Sequence, residues 1–150
     1  MREAVAAVRN VRSQMNVPPS APIRVLLKAD DAELDRILTE TREISSRLAR
    51  ISEWESGADL EKPPASASAV IRGGTLFIPL EGIIDVEVEK GRLAKENARL
   101  ASLIQGTQKK LSNENFVQRA KPEVVERERD KLQSLQGDLE KVVAALRDLD

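Results

Sequence analysis

The sequence predicts an α+β fold: a small β-α-β-β module with an N-terminal helix, followed by a long antiparallel two-helix coiled-coil hairpin. Two observations predict it. Short β-prone runs and helical stripes share the first half of the chain, and apolar heptads fill the second half. The pattern changes near residue 85, which predicts a terminal helix in 1–19, an α/β module in 20–84 and a coiled-coil arm in 85–150.

The first sixteen residues predict a helix. Val5, Val8 and Met15 fall on one helical stripe together with either Val11 or Arg12, and Arg12 is otherwise expected on the surface with the other arginines of this segment. The helix must end before Pro18, because proline disfavours helical geometry in the residue that precedes it.

A strand and a helical region are predicted next. Over 23–28 the apolar residues Ile23, Val25 and Leu27 alternate with Arg24, Leu26 and Lys28, which predicts a short strand. Asp30-Asp31 then precede a helical pattern that continues to about residue 52, with Ser45-Ser46 as a candidate break that leaves open one helix or two. The two carboxylates fit a helix N-cap better than a metal or acid/base pair, because a capping oxygen satisfies free N–H groups.

A hairpin is predicted after a loop rich in Pro, Ala and Ser. The runs 69–71 and 75–78 are separated by Gly73-Gly74, and glycines at turn positions adopt positive φ at no steric cost. Pro79 is expected at a strand end, where its missing N–H costs little.

Two heptad helices are predicted from residue 85 onward, joined by the polar turn 112–115, with Pro122 as the first residue of the second helix. The rows of the first helix are Val86, Leu93, Leu100 and Thr107, and Lys90, Asn97, Ile104 and Leu111. Those of the second are Val125, Leu132, Leu139 and Leu146, and Leu135, Val142 and Leu149. A short link favours pairing within one chain over a dimer between chains, although Asn97 fits either arrangement.

Composition excludes several classes of chemistry. The chain has 150 residues with no His and no Cys, so it lacks the residues that most zinc, haem and Cys-His or Ser-His sites require. No metal and no cofactor are expected. No apolar run is long enough for a membrane span and the first residues lack a signal-peptide core, so we expect no membrane partner and a cytoplasmic location.

The net charge of −1 hides an uneven distribution. Residues 90–121 hold eight basic and two acidic residues, a local charge of +6 where a phosphate backbone could be met. The alternative is a solvated flank that pairs with the acidic second helix. Phe116 either stacks on a base or, as we favour, fills the gap between the two helices.

Four stretches carry a resemblance to a known family: 8–12, 80–85, 110–117 (KLSNENFV) and 122–125 (PEVV). Their order resembles the C-terminal region of valyl-tRNA synthetases, from the last helix of the anticodon-binding region (1–19) to the end of the chain. The resemblance implies a tRNA-binding arm that grips the outer corner of tRNA and performs no catalysis alone. The ATP-dependent active site of that family needs a HIGH-type signature, which a chain without His cannot contain.

The resemblance also implies partners and contact residues. The partners are a valine-acceptor tRNA and the catalytic and anticodon-binding domains of a parent valine–tRNA ligase, with the chain as a monomer. A protein-interaction or dimerisation coiled coil is the alternative. The residues expected to contact RNA are Arg92, Lys95, Arg99, Lys109, Lys110, Arg119 and Lys121.

Overall fold

The computed structural model describes all 150 residues and confirms the α+β class. The chain forms two compact units, the first comprising 1–89 and 148–150 and the second 90–147. The helices are α1 (Arg2–Gln14), α2 (Ala32–Glu40), α3 (Arg42–Ala49), α4 (Val86–Leu111), α5 (Glu114–Arg119) and α6 (Pro122–Asp148). The strands are β1 (Ile23–Ala29), β2 (Ile51–Gly57), β3 (Ser66–Ile71) and β4 (Gly74–Pro79).

The first unit is built on a four-stranded mixed sheet in the order β2-β1-β4-β3. β1 runs parallel to β2 and antiparallel to β4, which also pairs with β3 as the predicted hairpin. Helix α1 contacts β3 and α3, while α2 contacts β1 and α3, so the three helices share one layer. Val8, Val25 and Leu76 are fully buried in the resulting core.

Strand β2 was not predicted, because 51 and 52 were assigned to the end of a helix. A bulge explains the pattern: Ile51 pairs with Ile23, but Glu53 pairs with Arg24, so Ser52 is an extra residue. Ile51 and Trp54 are therefore both buried although they are three residues apart, a spacing that imitates a helix. The helical region also breaks at Thr41, between α2 and α3, and not at Ser45-Ser46.

The predicted N-cap of α2 is confirmed, whereas the predicted hairpin turn is displaced by one residue. The Asp31 side chain caps α2 by accepting a hydrogen bond from the Glu33 N–H at 2.9 Å. The hairpin turn consists of Arg72 and Gly73, of which only Gly73 has a positive φ, and Gly74 begins β4. A side chain at Gly74 would lie 2.6 Å from the Lys28 carbonyl oxygen, so this glycine is needed for close strand approach.

Arg12 is buried, contrary to the prediction of a surface position, with 8% of its area exposed. Its guanidinium donates to the carbonyl oxygens of Pro18, Ala49 and Arg50 at 3.0 to 3.1 Å. The last two lie at the C-terminal end of α3, where a positive charge also favours the helix dipole. Arg12 therefore fastens α1 to the end of α3.

The second unit contains the two predicted heptad helices and one further short helix. Every predicted row residue of 90–147 is buried or half-buried, and Leu100 and Ile104 are 2% and 8% exposed. Pro122 is the first residue of α6, as predicted. The link is more ordered than expected, because Asn113 caps α5 by accepting from the Asn115 N–H.

The two helices of the second unit run antiparallel. Lys110 in α4 forms an ion pair with Glu128 in α6 at 3.0 Å. Farther back along α4, the charge of Asp138 in α6 contributes to the raised pKa of Arg99. Moving back along α4 therefore corresponds to moving forward along α6, which defines the hairpin. At about 1.5 Å per residue, each helix is roughly 40 Å long.

Candidate nucleic-acid interface

Charge separates the two units. The first unit holds eleven basic and seventeen acidic residues, a formal charge of −6, whereas the second holds thirteen basic and eight acidic residues, a charge of +5. The near-zero total is therefore the sum of an acidic unit and a basic one. An anionic polymer is attracted to the second unit and repelled by most of the first.

Four of the predicted contact residues form one stripe along α4. Arg92, Lys95, Arg99 and Lys109 are all exposed, and they follow spacings of three, four and ten residues. These spacings place them on a common helical face, which lies opposite the buried rows. We call these four residues the basic stripe.

The basic stripe is interrupted by two small residues. Ser102 and Gly106 continue the same helical face between Arg99 and Lys109, and both are exposed. Nothing lies within 4 Å of where a Gly106 side chain would begin. The helix surface is thus low between Arg99 and Lys109.

Arg99 is held by a carboxylate on its own helix. Its guanidinium donates to Glu96 at 2.6 and 2.9 Å, although 58% of the Arg99 side chain is exposed. The hydrogen bond from Arg99 lowers the pKa of Glu96, and the charges of Arg99 and Arg92 add to this effect. The same hydrogen bond raises the pKa of Arg99. Glu96 therefore reduces the positive potential of the basic stripe at its centre.

Lys110 differs from the basic stripe because it is engaged within the hairpin. Besides its bond to Glu128, its ammonium lies 4.9 Å from the centre of the Phe116 ring, a distance suited to a cation–π contact. Phe116 is half-buried. This arrangement supports the packing role that the sequence favoured for Phe116 over base stacking.

Arg119 and Lys121 lie at the link between α5 and α6. Both are exposed and neither makes an ion pair within the chain. Lys95 and Lys109 are likewise exposed without a carboxylate partner. Four of the seven predicted residues are thus available to an external anion, while Arg99 and Lys110 already have internal partners and Arg92 also interacts within the chain.

Sequence reasoning missed a second group of cations, in the first unit. Arg9, Arg12, Arg47 and Arg50 line one open groove of about 240 Å³ at the end of α3. The signal was present in the sequence, since each pair is three residues apart and three residues bring side chains to one helical face. Only the packing of α1 on α3 brings the two pairs together.

No group of three or more His, Cys, Asp or Glu side chains in the chain is placed to hold a metal ion. No helix combines the length with the apolar character needed to cross a lipid bilayer.

Comparison with known proteins identifies relatives over nearly the whole chain. Residues 85–150 match the family described as the valyl tRNA synthetase tRNA binding arm. The chain is 44% identical to a valine–tRNA ligase of Gluconobacter oxydans over 95% of its own length, which covers 16% of that relative. It is 42% identical to a valine–tRNA ligase of Granulibacter bethesdensis, with the same coverage. Identity to a valine–tRNA ligase of Enterococcus faecalis is 40% over 87% of the chain and 15% of the relative.

Proposed function

Since the chain belongs to the valyl-tRNA synthetase family and matches its tRNA-binding arm over 85–150, we propose that it is a tRNA-binding module. The chain spans only 15–16% of the length of the relatives described above, and its matched family is the arm and not a catalytic domain. We assign no catalysis to this piece. Amino-acid activation belongs to the rest of a parent valine–tRNA ligase.

The observation that carries the proposal is the charge of +5 on the second unit, with the basic stripe exposed on α4. Double-helical RNA displays phosphates and 2′-hydroxyls at regular intervals, and proteins recognise it mainly by shape. A straight helix of about 40 Å with cations on one face can follow such a backbone without contacting base edges. The module thus supplies affinity for folded tRNA.

The test is tRNA binding to the 150-residue chain, measured by fluorescence anisotropy over a salt series. The variant Lys95→Ala/Lys109→Ala removes two unpaired cations of the basic stripe. We expect affinity to fall about tenfold and the slope of log K against log salt to decrease by roughly 1 to 2, since each phosphate contact contributes about one unit.

A matched control removes the same charge elsewhere in the second unit. Lys131→Ala/Lys141→Ala changes two exposed lysines on α6. If this variant loses as much affinity as the α4 variant, attraction is a general charge effect and the basic stripe has no special role. Unchanged binding by both variants contradicts tRNA recognition by the arm.

The finer parts of the proposal follow from the same family. We propose that the RNA partner is a valine-acceptor tRNA, that the protein partners are the catalytic and anticodon-binding domains of the parent enzyme, and that the location is cytoplasmic.

The divisions 1–19, 20–84 and 85–150 stay predictions, with 1–19 as the last helix of the anticodon-binding region. Because a tethered arm acts at high effective concentration, the isolated chain should bind tRNA more weakly than the parent.

A dimerisation coiled coil is the rival function. It requires the heptad rows to pair between chains, whereas the bond between Lys110 and Glu128 closes a hairpin within one chain. We therefore propose a monomer. Sedimentation equilibrium should give 16.6 kDa, and twice that mass at micromolar concentration favours the rival.

A further inference from the structure

We propose that the groove lined by Arg9, Arg12, Arg47 and Arg50 is a second phosphate-binding site, which takes a backbone phosphate of the same RNA. This inference rests on the proposed function. The groove lies in the first unit. The overall charge of that unit is −6, which by itself predicts no RNA contact there.

The groove concentrates positive charge without a carboxylate. Its lining consists of these four arginines together with Pro19, Leu48 and Ala49, and no acidic side chain is among them. Arginine guanidinium groups are planar donors that match phosphate oxygens with paired hydrogen bonds. A groove with several of them and no counter-charge has the composition of an anion site.

Internal contacts account for only part of this cluster. Arg12 donates to carbonyl oxygens, as described above, and Arg9 donates to the Leu48 carbonyl at 2.8 Å. These bonds hold α1 against the end of α3. Arg9 uses one of its five N–H donors in this way, so others remain for a ligand. Arg47 and Arg50 are exposed and have no ion pair.

The cluster carries an electrostatic cost that a bound anion offsets. Burial lowers the pKa of Arg12, and the charge of Arg50 lowers it further, which indicates that the two guanidinium groups repel each other. Hydrogen bonds to the carbonyl oxygens at the end of α3 account for Arg9 and Arg12. They do not explain why arginine occupies positions 47 and 50. A phosphate in the groove gives all four cations a shared counter-charge.

Arg50 also has an unfavourable backbone conformation. It ends α3 in the left-handed region, with φ 51° and ψ 48°, where glycine or asparagine is the common choice. Strained backbone conformations occur often at ligand-binding sites, where the surrounding structure holds them in place. A guanidinium at the mouth of an anion groove is such a role.

The experiment compares three double variants of the full chain in the tRNA anisotropy assay. Arg47→Ala/Arg50→Gly alters the groove, Lys95→Ala/Lys109→Ala alters the basic stripe, and Arg36→Ala/Arg72→Ala removes two exposed arginines elsewhere in the first unit. We expect the groove variant to lose about tenfold in affinity with a salt slope lower by roughly 1 to 2. The Arg36/Arg72 control should stay within about twofold.

Folding is checked on the same samples by thermal unfolding. Because glycine accepts φ 51° without strain, Arg50→Gly alone should unfold at an equal or higher temperature while it binds RNA more weakly. A purely structural role for Arg50 does not produce that combination. Arg47→Glu, at an exposed position, provides a second variant and should weaken binding more than Arg47→Ala.

The outcomes separate the two proposals. If the stripe variant loses affinity and the groove variant does not, the groove inference is wrong and the proposed function stands. If the groove variant alone loses affinity, the inference stands and recognition by the arm fails. Full affinity in both variants contradicts both.

Discussion

At the scale of single residues, the same side-chain type has different roles in different surroundings. Arg12 is buried, and its guanidinium donates hydrogen bonds to backbone carbonyl oxygens. Arg99 is exposed but paired with Glu96, and Lys109 is exposed and unpaired. From the sequence alone, Arg12, Arg99 and Lys109 differ in none of these respects and are simply three positively charged residues. Burial and partner identity, which depend on the folded chain, decide which of them can contact an external anion.

Replacing Arg12 should destabilise the first unit. Arg12→Met keeps most of the apolar stem but leaves buried carbonyls at the end of α3 without their charged donor. Hydrogen bonds to charged groups contribute about 1.5 to 3 kcal/mol, so we expect a loss of about 2 kcal/mol in urea unfolding. Arg9→Met, which removes one exposed bond, is the control and should cost less than about 1 kcal/mol.

Removing Glu96 should strengthen RNA binding. Glu96→Gln removes a negative charge from the basic stripe and releases Arg99 from its carboxylate. An increase in tRNA affinity of about two- to fourfold is expected at low salt, and it should shrink as salt screens the charges. Glu126→Gln, on the exposed surface of α6, provides the comparison. Equal gains from both variants indicate an effect of net charge alone.

The pKa of Glu96 also sets the sign of a pH effect. It is lower in the folded chain than in the unfolded chain, so the ion pair stabilises α4 above the ordinary carboxylate pKa. That contribution is lost as the pH falls through the lowered folded value. Wild type and Glu96→Gln should therefore differ in thermal unfolding at neutral pH and converge in acid, and a difference that persists in acid contradicts the assignment.

At the scale of elements, the heptad rows were predictable and the sheet was only partly so. The rows repeat over a whole helix, so single polar residues such as Asn97 do not obscure them. Strand β2 lies at the sheet edge and has a bulge at Ser52, so its pattern of burial does not alternate. Its parallel pairing with β1 joins distant residues, which local periodicity does not reveal. The arginine groove escaped prediction for the same reason.

The buried row of α4 should carry the stability of the hairpin. Leu100→Ala removes a side chain that is 2% exposed, and a cost of about 2 to 4 kcal/mol is expected in denaturant unfolding. Leu103→Ala, one turn later and 37% exposed, is the matched control and should cost under about 1 kcal/mol. Comparable losses would show that α4 does not use the predicted rows.

Two glycines should respond in opposite directions to alanine. Gly91 lies within α4 with nothing within 4 Å of an added Cβ, so Gly91→Ala should stabilise the helix by about 0.5 to 1 kcal/mol. Gly74→Ala forces a Cβ against the Lys28 carbonyl oxygen and the Leu27 side chain, and should destabilise the sheet. Thermal unfolding distinguishes the two, and a stable Gly74→Ala variant contradicts the described strand spacing.

At the scale of the whole molecule, two units of opposite charge share one chain. The average charge of −1 predicts no net attraction to RNA, whereas the separate charges of −6 and +5 predict that the second unit as a whole attracts it. The family resemblance was visible in the sequence because each of its motifs, such as 110–117 and 122–125, is a continuous stretch of chain. The groove is formed by residues far apart in sequence, so only the folded first unit reveals it.

Asp148 is the last residue of α6 and lies in the first unit with the two residues that follow it. Its carboxylate accepts a hydrogen bond from the Ser68 N–H at 2.9 Å and forms an ion pair with Lys62 at 2.7 Å, so the last residues of the chain are held within the first unit. Deleting one heptad from each of α4 and α6, at facing positions, should shorten each helix by about 10 Å. The contacts of Asp148 with Ser68 and Lys62 lie outside the deleted residues. The length of the hairpin can therefore change while the Asp148 contacts stay the same.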